Sequence, residues 1–152
     1  LEEQIATLDA EIARRAREDE TARRLMTIPG VGPLIATAFA TLAPDPATFR
    51  RGRDFAAWLG LTPRQHSSGG KQRLGATTKM GERSLRRLLI IGANAVVQWR
   101  ERKGAKPVTW LAGMLARKPA MLVRVALANK MARIVWALMA KGGIYKAPAA
   151  AA

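Results

Sequence analysis

Hydrophobic positions recur along most of this chain at spacings of three and four, the period of helices that each bury one face. Leu1, Ile5, Leu8 and Ile12 open the series as a heptad-like seam on a highly charged segment. That seam is too short for a coiled coil of its own, so it predicts pairing with a helix elsewhere in a longer protein or on a partner. A second helix is expected to end near Ile28, where Ile28-Pro29-Gly30-Val31-Gly32 makes a tight turn. An apolar helix restarts at Pro33, a residue suited to a first helical position. Residues 43–50 read as a proline-punctuated loop, and residues 51–60 as a short helix with Phe55, Trp58 and Leu59 on one face. After a glycine-rich loop to about Gly81, a long amphipathic helix begins at Glu82. It carries Leu85, Leu88, Leu89, Gly92, Val96 and Trp99 on one side, with Arg83, Arg86 and Arg87 displaced from them. Lys103-Gly104-Ala105-Lys106-Pro107 breaks it. Helices then follow over residues 108–117 and 119–141, the last closed by Gly142-Gly143. No run alternates as a strand should, and no repeat is present. The predicted fold is all-α.

Charge changes the picture. The formal net charge is +15, yet residues 1–20 alone carry −4, leaving +19 on the remainder. Beyond residue 20 the acids are few: Asp45, Asp54, Glu82 and Glu101. A balance of this kind points to a polyanionic partner, because Lys and Arg release counterions from phosphates on binding. An anionic membrane surface ranks second and a plain solvated surface third. The absence of cysteine excludes disulfides and thiolate metal sites, and with one histidine no metal site is expected. Residues 119–140 are the most apolar segment, but Arg124, Asn129, Lys130 and Arg133 interrupt them, so they predict a buried helix and not a membrane span. A chain that starts with Leu inside a helical pattern reads as a fragment of a longer protein.

Two segments carry candidate chemistry. The turn around Gly30 and Gly32 resembles a helix-hairpin-helix, whose amides and helix N-terminus suit a DNA phosphate. The same turn could equally serve only to pack two helices together. The second segment, from Gly60 to Gly75, holds Ser67 and Ser68 among Arg64, His66, Lys71 and Arg73. Gly69-Gly70-Lys71 fails as a triphosphate loop because Gln72 stands where a hydroxyl is required, and no Gly-x-Ser-x-Gly elbow exists. The basic region has no carboxylate cluster for a self-contained two-metal nuclease. A serine with cations to stabilise an attacked phosphodiester remains, beside the alternative of a loop that only grips phosphate. Local spacing does not separate Ser67 from Ser68, and His66 is a candidate base or a phosphate contact.

Taken together, Ile28-Pro29-Gly30-Val31-Gly32, Phe55-Ala56-Ala57-Trp58-Leu59-Gly60-Leu61-Thr62-Pro63, Ser68-Gly69 and Leu85-Arg86-Arg87-Leu88-Leu89 resemble the C-terminal transposase domain of the insertion-sequence one-ten family. That family includes the Piv-type invertases and bridge-RNA-guided recombinases, and the match runs from about Arg23 to Lys141. The resemblance implies a connecting coiled-coil end over residues 1–22, a transposase domain over 23–146 and a tail over 147–152. Within the domain it places a hairpin at 23–42, a serine loop at 60–81 and a helical core at 82–141. It further implies that Ser68, eight residues after Gly60 and just before Gly69, is the nucleophile of a phosphoserine intermediate. Arg64, Lys71 and Arg73 would neutralise the phosphate, while Gly30, Gly32, Arg83, Arg86 and Arg87 would contact nucleic acid. Ser67 and His66 become auxiliary, since relatives carry other residue types there. Mg2+ is expected in a separate N-terminal RuvC-like domain with an acidic tetrad. DNA, a structured guide RNA and further copies of the protein are the expected partners. The expected location is the bacterial or archaeal cytoplasm, at the nucleoid, with the isolated chain inactive.

Overall fold

In the computed structural model, the described residues are 1–65, 69–70, 74–77, 81–104 and 109–148. Helix α1, Glu2–Glu18, stops at Asp19, whose extended backbone and side chain start α2, Glu20–Leu25; the Asp19 carboxylate accepts the Ala22 amide at 2.7 Å. Helix α2 ends one turn earlier than the sequence pattern suggests. The Thr27 and Ile28 amides close tight turns onto the Arg24 and Leu25 carbonyls, and the Thr27 hydroxyl also donates to the Arg24 carbonyl at 2.6 Å. Helix α3, Pro33–Leu42, begins with its proline as expected. A 3-10 turn at Pro46–Thr48 is capped by Asp45 and leads to α4, Gly52–Trp58. The long α5, Arg83–Lys103, a short α6, Trp110–Arg117, and α7, Ala120–Lys141, complete the helices.

One departure lies between α4 and α5. Strands β1, Pro63–Gln65, and β2, Leu74–Thr77, pair antiparallel, with Pro63 opposite Thr77 and Gln65 opposite Leu74. Strands of three and four residues are too short to display an alternation, and here Pro, Arg, Gly and Thr hide what little there is. The fold nonetheless remains all-α, with this ladder as its sole sheet among the described residues.

Helix α7 is the central support: α2, α4, α5, α6 and the 3-10 turn all pack on it. The main core gathers Leu25, Ile35, Phe39, Phe55, Leu59, Leu85, Leu89, Met131 and Val135, all buried. Phe55 stacks on Trp58 and meets Phe49 edge-on at 5.3 Å, so the short α4 is held by aromatic area that its seven residues of helix could not replace. The Trp136 indole donates to the Pro46 carbonyl at 3.0 Å and ties the 3-10 turn to α7. A second, smaller cluster of Val97, Leu111 and Val123 joins α5, α6 and α7 at the far end.

The seam on α1 is mostly uncovered. Leu1, Ile5 and Leu8 are exposed, Ile12 is half-buried, and only Ala16 is fully packed. Trp99, expected on the core side of α5, is also exposed.

Candidate nucleic-acid interface and the root of the serine loop

The serine loop springs from the end of α4, and the sequence there dictates how. Gly60 takes φ 74°, a left-handed backbone that a side chain would strain. Its amide donates to the Ala57 carbonyl at 2.9 Å, while the Leu61 amide reaches back to the Ala56 carbonyl at 3.0 Å. These two bonds make a Schellman motif, and the buried Leu61 supplies its apolar contact. The Gly-Leu-Thr-Pro motif therefore ends a helix, anchors the chain in the core and starts β1 at Pro63.

Three carbonyls at this root are covered by distant parts of the chain. The Arg86 guanidinium donates to the Leu59 carbonyl at 3.2 Å, and the Asn129 amide of α7 donates to the Leu61 carbonyl at 3.0 Å. Gly81, at φ 107°, lies so close over the Trp58 carbonyl that a Cβ there would collide with its oxygen. Helix α4, α5 and α7 thus fix both ends of the segment that holds the serines. Arg64 stands on β1 with its side chain exposed. Gly69 and Gly70 have φ of 60° and 80° with open space where a Cβ would be. His66, Ser67, Ser68, Lys71 and Arg73 lie outside the described residues.

The hairpin between α2 and α3 uses its two glycines differently. Gly30, at φ 85°, packs against α5: a Cβ would stand 2.6 Å from the Gly92 carbonyl oxygen and 2.7 Å from Val96 Cγ2. A Cβ on Gly92 would in turn collide with the Gly30 carbonyl oxygen. Gly32 caps α3 with an extended backbone and has nothing near its Cβ position. The α3 N-terminus is therefore open at Gly32 while Gly30 is consumed by packing. Of the α5 arginines, Arg83 and Arg87 lie one turn apart and exposed, whereas half-buried Arg86 is held by Leu59.

Charges from Glu11 to Arg24 form a run of ion pairs along α1 and α2. Arg14 bridges Glu11 and Glu18, Arg15 also reaches Glu11, and Arg24 bonds Glu20. Hydrogen bonds from Arg14 and then Arg15 hold the Glu11 carboxyl down at about 2. Elsewhere Asp45 and Glu82 accept amides at element starts, and Asp54 lies beside Arg51. These dispersed carboxylates do not fit a divalent-metal site, and no cluster of metal-ligating side chains occurs among the described residues. No described helix is long and apolar enough to cross a membrane.

Asn129 and Gly81 were not among the residues singled out for function. The signal available for Asn129 is a single amide among the basic residues that interrupt an apolar segment.

A basic helical domain with an open helix N-terminus and a firmly anchored glycine–serine loop defines the class. The chain belongs to the Transposase IS116/IS110/IS902 family, whose profile matches residues 22–108. It is 51% identical over 146 residues to a "Probable family 20 transposase" of Pseudomonas aeruginosa, covering 96% of this chain and 43% of that protein. It is 49% identical over 144 residues to a "Putative transposase y4pF/y4sB" of Sinorhizobium fredii, covering 94% of this chain and 37% of that one. The "Transposase for insertion sequence element IS1328" of Yersinia enterocolitica is 41% identical, with 94% and 43% covered. The chain thus spans about two fifths of these relatives' own length.

Proposed function

We propose that this chain is the C-terminal part of a DNA transposase, that it binds DNA, and that Ser68 is the nucleophile for strand cleavage. The observation that carries the reading is the root of the serine loop. Leu59 and Leu61 carbonyls, a Schellman turn and Gly81 together hold the loop's ends against three helices. A catalytic side chain gains from such fixed support, since small misplacements are costly in rate.

In this reading the Ser68 oxygen attacks a DNA phosphorus, a new serine–phosphate ester forms, and the P–O bond to one strand breaks. The leaving sugar oxygen takes up a proton. A free sugar hydroxyl later attacks the phosphoserine, restoring the serine and joining a strand, so no external energy source is needed. Arg64, Lys71 and Arg73 offset the charge that builds on the phosphate, with His66 and Ser67 as auxiliary neighbours. Mg2+ would be held by the acidic RuvC-like domain of the longer protein and would assist the displacement there. Gly32, Arg83 and Arg87 face outward as a duplex contact, and α1 extends toward further copies of the protein. A structured guide RNA is the other expected ligand of the basic surface.

The test is covalent trapping of the full-length protein on nicked target DNA. An adduct lost in Ser68→Ala and kept in Ser67→Ala supports the reading. An absence of adduct in the parent protein favours a hairpin module that binds nucleic acid without cutting it, a reading consistent with the open end of α3. The isolated chain is expected to leave duplex DNA intact in Mg2+.

A further inference from the structure

Gly92, Val96, Trp99 and Lys103 follow one another on one stripe of α5, spaced four, three and four. The stripe begins as core: Gly92 is buried beneath Gly30, and Val96 touches the same turn. It then runs out from under its cover. Trp99, about 10 Å further along the axis than Gly92, is 58% exposed, although a tryptophan at a core-phase position should be buried. Around it the last turn of α5 carries Arg100, Arg102 and Lys103 against the single acid Glu101.

From this juxtaposition we infer that Trp99 is a stacking platform for an unpaired base of single-stranded DNA, with Arg100 and Lys103 taking the flanking phosphates. The inference rests on the nucleic-acid reading above and adds a strand state and a contact residue to it. An indole face stacks on a base only when that base has left its own stack, so the platform selects single strands over duplex. Charge argues against a second copy of this chain as the occupant. The same cationic turn on two molecules would repel, and Glu11, Glu18 and Glu20 are already paired with their own arginines, which leaves only Glu2, Glu3 and Asp9 near the start of α1 for a head-to-tail contact.

The experiment measures fluorescence anisotropy of the whole chain with labelled oligothymidylate of about twenty nucleotides, long enough for one binding site, and with a duplex of equal length at the same salt. Trp99→Ala should weaken single-strand binding about tenfold while duplex binding stays within about twofold. Trp99→Phe should keep most of the affinity. Trp99→Leu, which retains apolar bulk and guards against a folding defect in the alanine variant, should lose it. The salt slope on single strands should be unchanged in Trp99→Ala and fall by about 0.7 in Lys103→Ala. Unchanged affinity in Trp99→Ala and Trp99→Leu, or an equal loss on duplex, overturns the platform and leaves the DNA-binding reading standing. A loss confined to oligouridylate overturns the assignment to DNA. A change confined to self-association in light scattering overturns it in favour of a protein contact. A parent chain that binds neither duplex nor single strand overturns the underlying reading as well.

Discussion

At the turn between α2 and α3 one glycine faces inward and the next but one faces out. At the serine loop the inward glycines, Gly60 and Gly81, stand at the root, while the outward ones, Gly69 and Gly70, stand beyond it. Both regions therefore divide their glycines between the fold and the space outside. Gly30 and Gly81 are needed because another backbone occupies the Cβ position. Gly32, Gly69 and Gly70 meet nothing among the described residues, so any demand for a bare backbone there comes from φ or from something beyond them, a ligand included. A glycine-rich motif is thus two requirements superimposed, one structural and one left for a partner.

The largest effects should fall on the packed set. Gly81→Ala combines a strained φ with a collision against the Trp58 carbonyl, and it should cost about 3 kcal/mol or more in urea unfolding. Gly30→Ala should cost nearly as much through Gly92 and Val96. Gly69→Ala has the φ penalty without the collision, about 1 kcal/mol. If Gly81→Ala proved no worse than Gly69→Ala, the division between root and outer glycines would collapse.

Next come the partners that lock the root. Leu61→Ala removes a buried side chain from the Schellman turn and should destabilise by about 2–4 kcal/mol. Asn129→Leu leaves the Leu61 carbonyl without its donor and should cost about 1–3 kcal/mol. In full-length protein both variants should lower the yield of covalent adduct more than a surface substitution of equal stability cost. A loss of adduct no greater than that control would mean that the root supports the fold and not the loop.

Much of this architecture was legible in the chain. The helices follow from their apolar period, Pro33 marks a start and Gly142 a stop. The β-hairpin was not legible, because its strands are too short and too polar for alternation to appear. The distinction between Gly30 and Gly32 was hidden for another reason: it depends on Gly92, some sixty residues away, and local pattern carries no information on which glycine a distant helix will meet. Trp99 shows the same limit. Its phase on α5 is that of the core, but whether a core stripe is covered depends on how far the opposing turn extends. For Asn129, an interruption in an apolar helix advertised a buried polar contact without naming its partner.

Arg86 and Arg87 give a smaller contrast of the same kind. Arg86→Ala should lose about 1 kcal/mol of stability with its bond to Leu59. Exposed Arg87 should cost less than about 0.5 kcal/mol when truncated. On duplex DNA the order should reverse, Arg87→Ala lowering the salt slope by about 0.9 as one phosphate contact is lost. Equal slopes for parent and Arg87→Ala would remove this face of α5 from the interface.

The stability effect of Gly32→Ala should also be small, and it is the sharpest discriminator. The backbone at Gly32 is extended, φ −92° and ψ −176°, which alanine adopts freely, and its Cβ would enter open space. Only the poorer capping of alanine remains, about 0.5 kcal/mol. If the α3 N-terminus grips a phosphate, the added methyl stands where that phosphate must approach, and duplex affinity should fall about fivefold, roughly 1 kcal/mol. If the hairpin only packs helices together, Gly32→Ala should bind DNA as the parent does. Gly30→Ala would unfold the turn in either case, so Gly32 is the position at which the two roles of this hairpin separate.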